Sequence, residues 1–328
     1  MARLRTVYVC TACEAEHPKW NGQCTSCGAW NSLIEDVVGS DTPVVAKSVA
    51  VNRLLNPSTA ALPITAVETP SAPARPTGIG EFDRVLDGGL VPGSVTLLSG
   101  EPGIGKSTLL LQLVGAWTGT SLYVSAEEST QQVRLRAERL GVRRDDVLLM
   151  SALSLSDIVA AIDKNVPSLV VVDSIQTIAD DALDSAPGSV VQVRECAFRL
   201  VQEAKARSIA VLIVGHVTKE GSIAGPRLLE HVVDTVISFE GDRLHPLRTV
   251  RAVKHRFGGT NELGLFEMTE SGLTGVPDAS HMLLADRQTD VAGSVVVPGI
   301  DGQRPLLVEI QALTSRIATG LTPRRSAQ

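Results

Sequence analysis

Aromatic side chains are scarce in this 328-residue sequence: three Trp, two Tyr and five Phe amount to 3% of it. With 44% hydrophobic residues, a sizeable core has to come from Val, Leu, Ile and Ala. Long apolar runs are missing as well. None approaches the roughly 18–20 residues of a bilayer-spanning helix, and the opening stretch MARLRTVYVC lacks the apolar segment of a secretory signal. A cytoplasmic protein with no membrane partner is therefore expected. Cysteine is rare too. Four of the five cysteines fall in one cluster, which suits a metal site in a reducing compartment rather than a disulfide framework. Nor is there an excess of positive charge. A net charge of −6 argues against coating nucleic acid with the whole surface, so any such contact must come from local patches such as a channel lining.

What the sequence does contain is organised around Ser94–Thr108, SVTLLSGEPGIGKST. It reads as a short apolar strand, a glycine-rich turn and the start of a helix. Gly100, Gly105, Lys106 and Ser107 match G-x-x-x-x-G-K-[ST], the Walker A phosphate loop, with Glu101, Pro102, Gly103 and Ile104 inside it and Thr108 following. Glycines let consecutive N–H groups turn inward around a polyphosphate, and the positive end of the helix adds to the attraction. Lys106 is expected to reach the terminal phosphates and Ser107 to ligate Mg²⁺. Such a loop binds a nucleoside triphosphate, ATP being the expectation. What the energy is used for has to come from elsewhere.

Four segments follow from composition: 1–34, 35–75, 76–277 and 278–328. The first holds Cys10-x-x-Cys13 and, after ten residues, Cys24-x-x-Cys27. Two such pairs make a four-thiolate Zn²⁺ site, closed and structural, whose metal supplies the folding energy of a unit too small to bury its own core. Gly22 and Gly28 stand where the knuckles call for unusual backbone angles. Trp20 and Trp30 are expected to cover the knuckles, the alternative being exposed contact residues. Residues 35–75, rich in Pro, Ala, Ser and Thr, read as a linker without stable structure. The last segment is a short α/β piece, read as the start of a domain cut short.

Between them lies the core. Periodicity and capping signals predict helices over 80–87, 106–118, 156–164 and 189–207, and one from the Ser129/Gln132 capping box to Gly141. Strands are expected at 121–125, 146–150, 168–173 and 209–214, then antiparallel strands near 232–240, 247–254 and 263–269. The order indicates an α/β fold with a mostly parallel sheet, a RecA-like P-loop core rather than a G-protein or adenylate-kinase one. Ser168–Asp173, SLVVVD, is an apolar run closed by an acid, the Walker B pattern, with Asp173 holding Mg²⁺ through water. Cys196, inside a helix, is expected to be a core residue. From Arg243 to Arg256 there are five Lys/Arg and no acid. This is either a solvated face or an edge that meets phosphate from a neighbouring subunit's nucleotide or from DNA.

Several stretches carry a closer likeness: YVCTACEAEHPKWNGQCTSCGAWNSL, GEPGIGKSTLLLQ, LYVSAEES, VVVDSIQT, SAPGSVVQVRECA, VGHVTKEGSIAGPRLLEH and VKHRFGGTNELGLFEM. Together they resemble the bacterial RadA/Sms DNA repair proteins, relatives of RecA and of the DnaB-type hexameric helicases. The resemblance implies a zinc finger, a RecA-like ATPase and a Lon-protease-like C-terminal domain of which only the start is present, too short for a Ser/Lys protease dyad. It implies a DNA-dependent ATPase that forms a hexameric ring on single-stranded DNA, promotes branch migration of branched recombination intermediates and works beside a RecA-type recombinase. By motif, Glu127 would activate the attacking water, with Glu128 adjacent and open to confusion with it. Lys254 and Arg256 of KHRFG would reach the γ-phosphate held by the next subunit, His255 replacing the family's asparagine. His216 would sense that phosphate, and Lys219 would face DNA. The competing function is a KaiC-like signalling ATPase that does not move on DNA.

Overall fold

The computed structural model describes residues 4–10, 15–30, 32–39, 63–66, 74–216, 226–242, 245–285, 287–288 and 291–312. Two compact units emerge, 1–275 and 276–328.

In the first unit a nine-stranded sheet carries the core. Four buried apolar strands, β4 (Val95–Gly100), β5 (Ser121–Ser125), β7 (Leu169–Asp173) and β8 (Ala210–His216), run parallel with the half-buried edge strand β6 (Val147–Ser151), and β9 (Thr235–Gly241) lies parallel to β4. Antiparallel strands β10 (Leu247–His255), β11 (Leu263–Thr269) and β12 (Gly272–Gly275) extend the sheet, giving the order β12-β11-β10-β9-β4-β8-β7-β5-β6. Successive residues of the central strands point to opposite faces. Leu98, Val171 and Leu212 join one buried cluster, while Leu97, Val170 and Ile213 join another. Both faces are therefore dry, which is why β7 reads as an uninterrupted apolar run.

Helices α1 (Gly80–Val85), α2 (Lys106–Ala116) and α3 (Thr130–Arg139) cover the first face. Helices α4 (Leu155–Asn165) and α5 (Val190–Arg207), with the short α6 (Pro226–Leu229), contribute to the second. The α3 start is the expected reciprocal capping box of Ser129 and Gln132. Cys196 is fully buried on α5, and burial pushes its thiol up to about 12, as suits an inert core residue.

A separate three-stranded sheet, ordered β2-β1-β3, is made by β1 (Leu4–Cys10), β2 (Glu16–His17) and β3 (Leu33–Gly39). Here the structure corrects the sequence. Residues from 35 were expected to be unstructured, yet β3 pairs with all of β1, from Leu4 opposite Gly39 to Cys10 opposite Leu33. The β-branched residues of this stretch find a partner strand that composition does not reveal. β12, rich in glycine, was also not anticipated. The second unit holds α7 (Ala279–Leu283) and a hairpin of β13 (Ser294–Asp301) with β14 (Arg304–Gln311). No helix among the described residues is long and apolar enough to cross a membrane.

Candidate nucleotide and metal sites

The turn from β4 into α2 depends on glycine. Gly103 and Gly105 have φ of 81° and 114°, the left-handed region that disfavours a side chain. A Cβ on Gly100 would lie 2.4 Å from the Phe239 carbonyl oxygen, and one on Gly105 2.4 Å from the Met268 methyl. Gly105 is also the N-cap of α2 and brings no side-chain cap, so the first N–H groups of the helix are left for an anion. Lys106 is buried, its Nζ donating to the carbonyls of Gly100 and Glu101 at 2.8 Å each. Burial pulls its pKa down to about 8, against the opposing pull of Asp173, Glu127 and Glu101. A loop whose glycines leave no room for a Cβ or hold left-handed backbone, an uncapped helix start and a buried cation together fit a polyphosphate.

The acids gather at the same end of the sheet. Asp173 ends β7 opposite Ser125, the last residue of β5, and Glu127 comes two residues later. Only β8 separates β7 from β4. Tyr123 donates its hydroxyl to Asp173 Oδ2 at 2.7 Å; burial, and then Asp173 itself, push the phenol well above its ordinary range. Ser174 donates to Glu127 Oε1 at 2.5 Å. Glu128 is engaged differently, by Arg136 of α3 at 2.7 Å. Geometry thus distinguishes the two neighbours. Glu127 is joined to the residue beside Asp173, and Glu128 ties down a helix. His216 pairs with Gly100 in the strand register.

Lys254 and Arg256 are elsewhere. Because β10 runs antiparallel to β9, His255 pairs with Thr235, which in turn pairs with Thr96 near the start of β4. Val95 to Gly100 is roughly 16 Å of strand, so the two basic residues lie at the end of the sheet remote from their own phosphate loop. Lys254 Nζ donates to the carbonyls of Glu230 (2.5 Å) and Val233 (2.8 Å). Burial, and then Arg256, lower its pKa. Arg256, 46% exposed, donates to Asp234 Oδ1 at 2.8 Å, while the other oxygen of that buried carboxylate accepts from the Val95 N–H at 3.0 Å. His255 shares a hydrogen with Thr235 Oγ1 at 3.0 Å and meets Phe257 edge-on. Lys219, expected to face DNA, lies outside the described residues.

In the N-terminal sheet the sulfurs of Cys10, Cys24 and Cys27 all lie within 4.8 Å of one another, with Cys10 and Cys27 at 3.6 Å. Zn–S bonds of about 2.3 Å imply sulfur–sulfur edges of about 3.8 Å in a tetrahedron, so three of the four thiolates fit zinc. Cys13 lies outside the described residues. The Cys24 knuckle is closed by Gly28 N–H donating to the Cys24 carbonyl and Cys24 N–H to that of Ala29. The Cys24 pKa is pulled down to about 5, by the Cys27 N–H above all, with Ser26, His17 and Cys10 helping against burial. His17, which the sequence did not single out, is buried with Nε2 3.4 Å from Cys24 Sγ. Gly28 has the expected positive φ, 76°, but Gly22 is not among the positive-φ glycines.

Comparison with known proteins agrees with both halves. Residues 80–222 match a family model described as an AAA domain, and residues 8–35 one described as a rubredoxin metal binding domain. The chain is 50% identical to the DNA repair protein RadA of Bacillus subtilis, over 100% of this chain and 71% of that one. It is 49% identical to RadA of Pseudomonas aeruginosa (99% and 71%) and 44% identical to RadA of Mycobacterium tuberculosis (99% and 68%). The chain belongs to the RadA family of DNA repair proteins.

Two further residues of this RadA-family chain escaped the sequence reading. Arg248, one of the five basic residues of the 243–256 stretch, is only 5% exposed. Its Nε donates to the Ile104 carbonyl inside the phosphate loop at 3.0 Å, and Nη1 to the carbonyls of Asp242 (2.8 Å), His245 (2.5 Å) and Leu247 (2.9 Å). It braces the loop from within rather than meeting a foreign phosphate. Gln112 of α2 acts similarly, exchanging two 2.9 Å hydrogen bonds with the Leu273 backbone of β12. Neither has a motif. The one signal in the sequence is an arginine set among the β-branched residues of a strand.

Proposed function

We propose that this chain is a DNA-dependent ATPase of recombinational DNA repair. In this reading it forms a ring on single-stranded DNA and promotes branch migration of recombination intermediates, beside a RecA-type recombinase. Lys106, with the N–H groups of Gly100–Thr108, binds the phosphates. Ser107 and Asp173 would hold Mg²⁺, which when bound neutralises phosphate charge. Glu127 takes the proton of the attacking water, and Ser174 orients its carboxylate. The Cys10, Cys13, Cys24 and Cys27 set would hold zinc as a structural metal.

The observation that carries the ring is the placement of Lys254 and Arg256. Both lie at the end of the sheet opposite their own loop, so a role at a γ-phosphate requires a neighbouring subunit. There they would stabilise transition-state charge as a finger supplied in trans. Arg256 is tethered by Asp234 yet half open to solvent, an arrangement compatible with reaching a neighbour.

The test is ATP hydrolysis by the purified chain with and without single-stranded DNA. Strong stimulation, lost in Arg256→Ala, supports the proposal. Unstimulated hydrolysis would favour a KaiC-like signalling ATPase instead.

A further inference from the structure

Of the three tryptophans in this aromatic-poor chain, two stand in solvent on the zinc-binding unit: Trp20 is 56% exposed and Trp30 72%. Neither covers the metal cluster. Cys10 and Cys24 are packed by Leu33, Tyr8 and Ala15 instead, which leaves the two indoles without a part in the small core. The backbone of Trp30 is nonetheless anchored. Trp30 forms a backbone bridge with Gln23, whose side chain donates to the Gly28 carbonyl at 2.8 Å, and the Cys24 knuckle lies between them. A Cβ on Gly22 would lie 3.8 Å from Trp30 and 3.9 Å from Trp20, so both indoles approach the same bare stretch of backbone.

We propose that Trp20 and Trp30 form a base-stacking platform for single-stranded DNA, with Lys19 holding a phosphate beside it. Exposed aromatics beside a cation are what unpaired bases and their backbone require. From His17 to Ile34 the only charged side chain is Lys19. The exposed neighbours Gln23, Thr25 and Ser26 are polar, and among the described side chains of this unit no large aliphatic one is exposed. An apolar protein partner would call for a wider greasy patch with a packed centre. The platform rests on the DNA-dependent function proposed above and adds a second contact, outside the ATPase core.

The experiment uses the whole zinc-loaded chain and single-stranded oligothymidylate. Trp117 is buried beneath the Arg75 guanidinium, 4.5 Å from its ring, and supplies a background that DNA does not reach. Oligothymidylate is expected to quench the exposed indole fluorescence. Trp20→Ala and Trp30→Ala should each weaken binding roughly tenfold and lose part of the quenching, while Trp30→Phe keeps most of the affinity. Zinc content measured in each variant separates loss of the platform from loss of the fold. Wild-type affinity in the zinc-loaded double alanine variant would overturn the platform and leave the DNA-dependent ATPase standing. So would indole quenching by a recombinase and not by DNA. A wild-type chain that neither binds oligothymidylate nor responds to it in hydrolysis would overturn the broader function as well.

Discussion

Lys106 sits where a buried ammonium is costly, and that cost sets a pH dependence. Its pKa falls from an ordinary 10.5 to about 8 because the loop shields it from water. Between those values the unfolded chain binds the extra proton, so for this group stability rises with pH: the penalty is in force below pH 8 and is relieved from there towards 10.5. Polyphosphate reverses the balance by favouring the charged amine. Nucleotide binding above pH 8 is therefore expected to take up a proton and to weaken as pH rises. Calorimetry at pH 8.5 in two buffers of different ionisation enthalpy measures that uptake, which should vanish in Lys106→Met. Lys106→Ala should abolish hydrolysis with little change in melting temperature, and near-normal turnover would refute its assignment. Arg248 makes the opposite kind of contribution. Arg248→Met strands buried carbonyls of the loop and hairpin at about 1–3 kcal/mol, so a lower melting temperature should accompany a raised KM for ATP. An unchanged KM would mean that the arginine only holds the hairpin.

Among the elements, the cysteine knuckles depend most on something outside the polypeptide. The N–H groups that hold the Cys24 pKa below its ordinary value favour a thiolate at neutral pH, and zinc should leave in acid, where protons compete with the metal for the sulfurs. One zinc per chain is expected by metal analysis, and none in Cys24→Ser; unchanged zinc in that variant would count against the cluster. The sequence made these knuckles and the central parallel strands legible, because cysteine spacing and continuous apolar runs are local signals. It also pointed to Asp173, which closes an apolar run, whereas Glu127 was singled out by the family resemblance alone. It failed where pairing partners are remote. β3 depends on β1 across more than twenty residues, and β12 is held by Gln112 across 161. Arg248 looked like part of a basic surface because charge runs carry no information on burial. The tryptophans could not be placed either, since a ring beside a glycine knuckle packs inward or outward according to neighbours that Leu33 and Tyr8 turn out to supply.

For the molecule as a whole, the decisive feature is the distance along the sheet between the phosphate loop and the KHRFG segment. The parallel strands deliver Lys106, Glu127 and Asp173 to one end, and the antiparallel turn-back of β10 delivers Lys254 and Arg256 to the other. Within one chain the basic pair lies at the end of the sheet away from its own phosphate loop. The proposed catalytic unit is thus a junction between two copies. Hydrolysis by mixtures of Lys106→Ala and Arg256→Ala chains, each inactive alone, tests this most directly. Mixing should restore turnover, because the first supplies an intact finger to the intact phosphate loop of the second. Full activity of Arg256→Ala by itself, or no recovery at any ratio while both variants assemble, would contradict the shared site.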